Sequence, residues 1–237
     1  MIGEIYEHAL AGLARPEIEH ADGSRCPLRV EDWLHIRPGD ASIVERCHGA
    51  TLDVGSGPGR LTLALAERGI PALGIDVTPY AVRLARSAGA LALLRDVFGH
   101  LPGAGRWMTV LLADGNIGIG GDPVALLRRV AELLTPPGQA LVEVQPPGSE
   151  LRSERIRLLH GEQASPWFPW AQVGADQIAE LASQAGLVAA DDWTAHGRWF
   201  SVLHPSAGPR INARTNDSVT AGSGDGPEPD PDGILQP

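Results

Sequence analysis

The sequence predicts an α/β fold: a three-layer α/β/α sandwich around a mostly parallel seven-stranded sheet, closed by an antiparallel C-terminal hairpin and preceded by a helical lead-in. Three observations carry this expectation. Residues 50–145 alternate short apolar runs with segments of helical periodicity, the pattern of parallel strands joined by crossover helices. The first run, Ala50–Val54, passes through a turn with glycine at 55, 57 and 59 into an Ala- and Leu-rich helix, Leu61 to Glu67. Near the end, Leu187–Trp193 and Trp199–Leu203 read as two strands joined by a short turn at His196-Gly197.

The lead-in, residues 1–48, holds one helix from about Ile2 to Leu13, a segment broken by proline and charge, and a helix near Ala41 to Cys47; a substrate cap is its expected role. The domain proper, residues 49–204, begins with strands at Ala50–Val54, Ala72–Asp76, Ala90–Asp96, Met108–Asp114 and Gln139–Gln145. Thr78-Pro79 sets an N-cap before an N1 proline, and Asp122-Pro123 repeats the device. Leu126, Leu127, Val130, Leu133 and Leu134 then follow at helical spacing until Pro136-Pro137-Gly138 stops the helix. Beyond Gln145 the rhythm changes. The insert 146–173 contains strand-like Arg155–Leu159 and Phe168–Val173, and a helix follows with Ile178, Leu181, Ala182 and Ala185 on one face. Residues 205–237 are rich in Gly, Pro, Ser, Asp and Asn, which predicts a disordered acidic tail.

Composition narrows the function classes. A formal charge of −10 argues against coating a nucleic acid, which needs a cationic face. All 19 basic residues are arginine, so a phosphate loop that needs its lysine and a Schiff-base lysine for pyridoxal phosphate are both excluded. Cys26 and Cys47 form no CxxC pair, and the acidic N-terminus reads as no secretion signal, so a reducing cytoplasm is expected. No apolar run reaches the roughly 18–20 residues of a membrane span. Monomer and homodimer both stay open.

The glycine turn bears the chemistry. Glycine at every second position lets the backbone take positive φ and lets a flat ligand approach closely, which suits a nucleotide-like cofactor. Counting from Gly55, Arg60 stands where a dinucleotide fingerprint has its third glycine. The run Asp53-Val54-Gly55-Ser56-Gly57-Pro58-Gly59 instead resembles the first motif, D/E-x-G-x-G-x-G, of class I Rossmann-like S-adenosylmethionine-dependent methyltransferases. The resemblance extends in pattern over about residues 45–203 and implies S-adenosyl-L-methionine as cofactor. It implies that Asp53, Gly55, Ser56, Gly57, Pro58 and Gly59 form the cofactor turn. Asp76, 17 residues after Gly59 and followed by Val77, would accept from the ribose hydroxyls, although a strand-end acid can also be merely solvated. Asp96 would meet the adenine amino group, with Val97 and Phe98 flanking the ring, and Ala113 and Asp114 would line the methionine arm. The glycines of Ile117-Gly118-Ile119-Gly120-Gly121 would let a mobile loop close over substrate.

The expected reaction is methyl transfer to an O or N atom, or a C atom, of a small organic acceptor without a metal; a protein acceptor is the other option. Such in-line displacement leans on alignment and desolvation, and a base is not always needed. Base candidates are Asp114, His100 and His35, with Asn116 as an orienting partner; each histidine reads more readily as a surface or capping residue. Asp114-Gly-Asn-Ile is not the motif of amino-directed DNA methyltransferases, Cys26-Pro27 reverses the order that cytosine-C5 enzymes need, and Gln145-Pro-Pro replaces a metal-holding Asp-Asn pair. Trp33 and His35 could cover the cofactor, and Trp167 or Trp170 could lid a ring-bearing substrate, or these aromatics simply fill core. Arg152, Arg155 and Arg157 fit an anion or a solvated strand equally. Two rivals remain: a non-catalytic module that binds the adenosyl cofactor to regulate a partner, and a nicotinamide-dependent oxidoreductase. The last is disfavoured by Arg60 and by the lack of lysine.

Overall fold

A computed structural model of the chain describes residues 3–206; the tail expected at 205–237 lies outside the described residues except for its first two positions. In chain order the elements are α1 (Gly3–Leu10), β1 (Glu17–Glu19), β2 (Arg25–Pro27), a 3-10 turn (Val30–Trp33), α2 (Asp40–Val44), β3 (Thr51–Val54), α3 (Arg60–Glu67), β4 (Ala72–Asp76), α4 (Pro79–Ser87) and β5 (Ala92–Leu94). There follow β6 (Trp107–Leu112), a 3-10 turn (Asn116–Gly118), α5 (Pro123–Leu133), β7 (Leu134–Val144), β8 (Arg152–His160), β9 (Gln163–Ala164), β10 (Phe168–Gln172), α6 (Ile178–Gln184), β11 (Leu187–Ala195) and β12 (Arg198–Pro205).

Seven strands form the main sheet in the order β5-β4-β3-β6-β7-β12-β11. The five from β5 to β7 are parallel, and β12 runs antiparallel to both β7 and β11. The chain enters at β3, winds outward to β5, then crosses back to β6 on the other side of β3. Strand order therefore reverses between β3 and β6, and a crevice opens there at the carboxyl ends of the strands. Alternation along the strands feeds two layers. Val110 and Leu112 of β6 and Ala140, Val142 and Val144 of β7 pack with α5 and α6. Leu111 and Leu141 face the opposite way, against Ile43 and Val44 of α2 and Leu61 and Leu65 of α3. No helix among the described residues is long and apolar enough to cross a membrane.

The hairpin closes as the sequence predicts. His196 and Gly197 have φ of 51° and 76° between paired Ala195 and Arg198, the left-handed pair that a two-residue turn of matching twist requires. Asp122 caps α5 by accepting from the Ala125 N–H at 3.0 Å. Thr78 occupies the N-cap position of α4 but makes no side-chain cap bond. The Asp76 carboxylate takes the Thr78 N–H instead, at 2.7 Å.

The lead-in departs from its expected helical character. Its proline-broken segment folds into β1 and β2, and β1 pairs with β8 of the insert, giving a second, antiparallel sheet in the order β10-β8-β1-β2 with β9 on the far part of β8. Three-residue strands carry no readable alternation, and β8, the partner that ties β1 into the sheet, lies more than 130 residues away along the chain. Long-range pairing, not local propensity, makes them strands.

The glycine loop at 118–121 is likewise packed rather than free to close. A Cβ on Gly118 would fall 2.1 Å from the Ala171 carbonyl, and one on Gly121 would fall 2.8 Å from Pro169 Cβ, so these glycines let the loop lie against β10. Gly59 has a similar duty at the start of α3. Its φ is +88°, and a Cβ there would stand 2.8 Å from Ala85 Cβ on α4. Gly59→Ala combines left-handed strain with overpacking and should cost roughly 2–4 kcal/mol. Urea unfolding measures it, and a loss below about 0.5 kcal/mol would remove α3–α4 packing as the reason for this glycine.

Candidate functional site

The crevice at the switch point is roofed by the second sheet, α1 and the first 3-10 turn, and together they line a cavity of about 740 Å³. Gly55, Ser56 and Gly57 form part of its floor, with Asp53 and Asp76 at their flanks. Pro58 and Gly59 do not border it. The Gly57 N–H donates to Asp76 Oδ2 at 2.9 Å, and Oδ1 accepts from Thr78. A carboxylate offers about four acceptor positions, more than these two N–H groups use. Burial raises the Asp76 carboxyl, opposed by these backbone donors. Asp53 is 2 % exposed and accepts from Thr62 Oγ1 at 2.7 Å, which ties β3 to α3 beneath the turn. Burial is the largest influence on it and lifts its pKa to about 6.

At the other end of the floor, Val77, Asp96, Val97 and Phe98 border the cavity. Asp96 Oδ1 accepts the Phe98 N–H at 2.9 Å, which fixes the turn after β5. Val97 is buried and the Phe98 ring lies against Gly120.

Between β6 and the lead-in stands a feature the sequence did not announce. Asp40, Asp114 and Glu143 are interlaced with Arg37, Arg60 and Arg198. Arg60, from the first position of α3, bridges Asp40 and Asp114 with a side chain only 3 % exposed. Arg198, aimed by the hairpin turn, places Nε 2.8 Å from Glu143 Oε1, Nη2 2.7 Å from Oε2 and Nη1 2.7 Å from Asp40 Oδ1. Arg37 Nη2 lies 2.9 Å from Asp114 Oδ1. Asp114 adopts a φ of 55°, unusual for a side-chain-bearing residue, and its N–H donates to Glu143 Oε2 at 2.6 Å. Burial pushes Asp40 up, but donors from Arg60, the Arg37 backbone and Arg198 outweigh it, and the carboxyl sits below its usual range. For Asp114 burial prevails over the arginines and raises the carboxyl.

These contacts redistribute the candidate residues. Ala113 and Asp114 border the cavity, but both Asp114 oxygens are held by guanidinium groups, which leaves it poorly placed to take a proton. Asn116 borders the cavity too, with Nδ2 donating to the Val54 and Gly55 carbonyls at 2.9 and 3.0 Å. It clamps the glycine turn rather than orienting a base. His100 and His35 are exposed and lie outside the cavity. Trp33 and Trp170 border it. Trp167 does not, because it packs on the outer face of the second sheet, where the Arg157 guanidinium sits 4.7 Å from its ring centre. Sequence reasoning passed over Tyr6, Arg37, Arg60 and Glu143, all of which border the cavity. Tyr6 is 8 % exposed beside Gly57, and burial, then Asp76 and Asp114, keep its phenol protonated. Arg60 had a visible signal: its place directly after the third glycine registered only as a missing glycine.

Two expectations follow. Asp53 binds its proton more tightly folded than unfolded, so between about pH 4 and 6 rising pH removes stability as the buried carboxyl ionises, by roughly 3 kcal/mol in all. Asp53→Asn keeps an acceptor for Thr62 and should gain stability relative to wild type across that window; a constant difference in urea unfolding at pH 4 and 7 contradicts the assignment. Asp40→Asn should cost about 3–5 kcal/mol because it leaves buried guanidinium charge unpaired. Thermal and urea unfolding test this, and a loss under about 1 kcal/mol shows the network to be dispensable for stability.

Residues 52–142 match a family model described as a methyltransferase domain. A release factor glutamine methyltransferase from Rhodospirillum rubrum is 39% identical over 102 residues, which cover 39% of this chain and 30% of that protein; the matched part is thus under a third of the relative. A structure of an S-adenosylmethionine-dependent methyltransferase from Bacteroides fragilis, in complex with S-adenosyl-L-homocysteine, superposes with a TM-score of 0.73 at 20% identity, covering 86% of this chain and 94% of that one. The 1,6-didemethyltoxoflavin-N1-methyltransferase of Burkholderia thailandensis is similar with a TM-score of 0.52 at 19% identity, covering 70% of this chain and 76% of that one. Likenesses at such identities establish the fold. Residues 52–142 thus match a methyltransferase domain, and the sheet around them has the fold of solved S-adenosylmethionine-dependent methyltransferases.

Proposed function

We propose that the chain is a metal-independent methyltransferase that uses S-adenosyl-L-methionine to methylate an O or N atom of a small organic acceptor. The observation that carries this reading is Asp76, whose two carboxylate oxygens border the cavity beside a glycine turn that they brace. A ribose diol answers that pair of acceptors. The residues present suit the rest of the cofactor. Gly55 and Gly57 leave the floor without side chains, and Val97 and Phe98 offer apolar surface to a base. Arg37 Nε and Arg60 Nε are buried donors without a hydrogen-bond partner, on residues that border the cavity. A carboxylate at that end satisfies them.

When bound, S-adenosylmethionine supplies an electrophilic methyl group on a sulfonium. The chain's contribution is alignment and exclusion of water: the second sheet roofs the crevice, Tyr6 covers the glycine turn, and the charge network fixes the walls. The Burkholderia protein was solved with 1,6-didemethyltoxoflavin, a small molecule, and a cavity of about 740 Å³ here supports an acceptor of similar scale.

Calorimetry separates the readings. S-adenosylhomocysteine should bind and NAD should not; binding of NAD alone refutes the proposal. Asp76→Ala should weaken S-adenosylhomocysteine by about 1–3 kcal/mol if it holds the ribose hydroxyls. Unchanged affinity in a variant that still melts cooperatively removes that role.

A further inference from the structure

The roof of the cavity has two faces of opposite chemistry. Alternation along β1, β8 and β10 directs Ile18, Ile156, Leu158, Phe168 and Trp170 to the cavity side, and Trp33 of the 3-10 turn joins them. The outer face carries Glu19 between Arg25 and Arg157 instead. Ile156 and Leu158 are 5 % and 2 % exposed, while the aromatic rings stay partly open to the cavity. Phe168 and Trp170 meet edge to face, with ring centres 6.4 Å apart, so they present two flat surfaces at right angles.

The charges that reach this part of the cavity are already matched to one another. Asp32 lies 3.4 Å from Arg29 Nε and 3.7 Å from Arg37 Nη1. Glu143 takes both prongs of Arg198, and Asp114 is held between Arg60 and Arg37. Tyr6 stays a phenol. An anionic acceptor meets apolar wall, and the buried N–H groups that Arg37 and Arg60 leave unpartnered lie at the end proposed for the cofactor carboxylate. An acceptor whose nucleophile must first lose a proton meets carboxylates whose oxygens are occupied. A neutral molecule with a ready lone pair meets neither obstacle.

On the reading that this is a methyltransferase, we infer that its acceptor is an uncharged, flat, ring-bearing molecule that reacts through a neutral nitrogen lone pair, seated between the aromatic edge of the second sheet and the glycine turn. The lone pair forms the new N–CH₃ bond as the S–CH₃ bond breaks and leaves its electron pair on sulfur. The positive charge passes from sulfur to nitrogen, and any N–H proton then leaves to water. Desolvation by the apolar roof favours this step because charge is moved, not created.

Matched bicyclic probes test it on protein saturated with S-adenosylhomocysteine. At neutral pH isoquinoline should bind calorimetrically at least about 10-fold more tightly than 2-naphthoate, and Ile18→Asp should weaken isoquinoline about 10-fold while changing S-adenosylhomocysteine less than about 2-fold. With methyl-labelled S-adenosylmethionine, label should appear in isoquinoline and not in 2-naphthol. Equal or tighter binding of 2-naphthoate, faster labelling of 2-naphthol, an Ile18→Asp variant that binds isoquinoline normally, or no binding by any probe while S-adenosylhomocysteine binds would each overturn the inference. Failure of S-adenosylhomocysteine itself to bind overturns the proposed function, and this inference with it.

Discussion

Six interlocked charges, three buried and three half-buried, set the geometry of the crevice. Arg37 and Asp40 come from the lead-in, Arg60 from the start of α3, Asp114 from beyond β6, Glu143 from the end of β7 and Arg198 from the hairpin turn. Every wall at the carboxyl ends of β3, β6 and β7 is therefore joined to every other by ion pairs. Buried pairs of this kind are close to neutral in stability against an apolar replacement, because desolvation opposes the Coulombic gain. Their consequence is positional. Bidentate contacts between planar guanidinium and carboxylate groups tolerate little displacement, and losing one partner strands the others. Even the left-handed Asp114 is held this way, its N–H fixed by Glu143.

The network also decides which groups are available for chemistry. Asp114 stands where a proton acceptor is wanted, at the end of the strand beside the switch point, yet its oxygens are committed. Asn116 is committed to the backbone of the glycine turn. Asp76 is the exception, since its backbone donors occupy only part of its acceptor capacity. The site thus presents accepting oxygen beside the glycine turn and withholds it at the end of β6. That division suits alignment and desolvation as the source of rate acceleration.

What the sequence disclosed follows the range of the interactions. The glycine turn, the strand-end acids, Asp122 capping α5 and the His196-Gly197 turn are set within a few residues, so composition and spacing reveal them. Arg60 and Arg198 owe their meaning to partners 20 to 158 residues away, and nothing local marks an arginine as buried. β1 is a strand because β8 pairs with it, and β2 because it pairs with β1, so a proline-broken stretch read as irregular. The glycines at 118–121 misled for a related reason. Glycine serves mobility and close approach alike, and the nearness of β10 decides between them.

The same distinction separates the two halves of the cavity. The floor is built from one contiguous stretch, 52–142, which is also the stretch the family model recognises. The roof is assembled from residues 5–37 and 145–173, two segments that flank that stretch and are joined along the β1–β8 pairing. Substitutions on β8 or β10 that keep the outer Glu19–Arg157 pair leave the sheet's register in place while changing the surface shown to an acceptor. Acceptor choice can thus diverge while the glycine turn, Asp76 and the charge network stay fixed. A motif that names the floor so clearly is silent about the roof because the two are held together by register and ion pairs, not by adjacency in the chain.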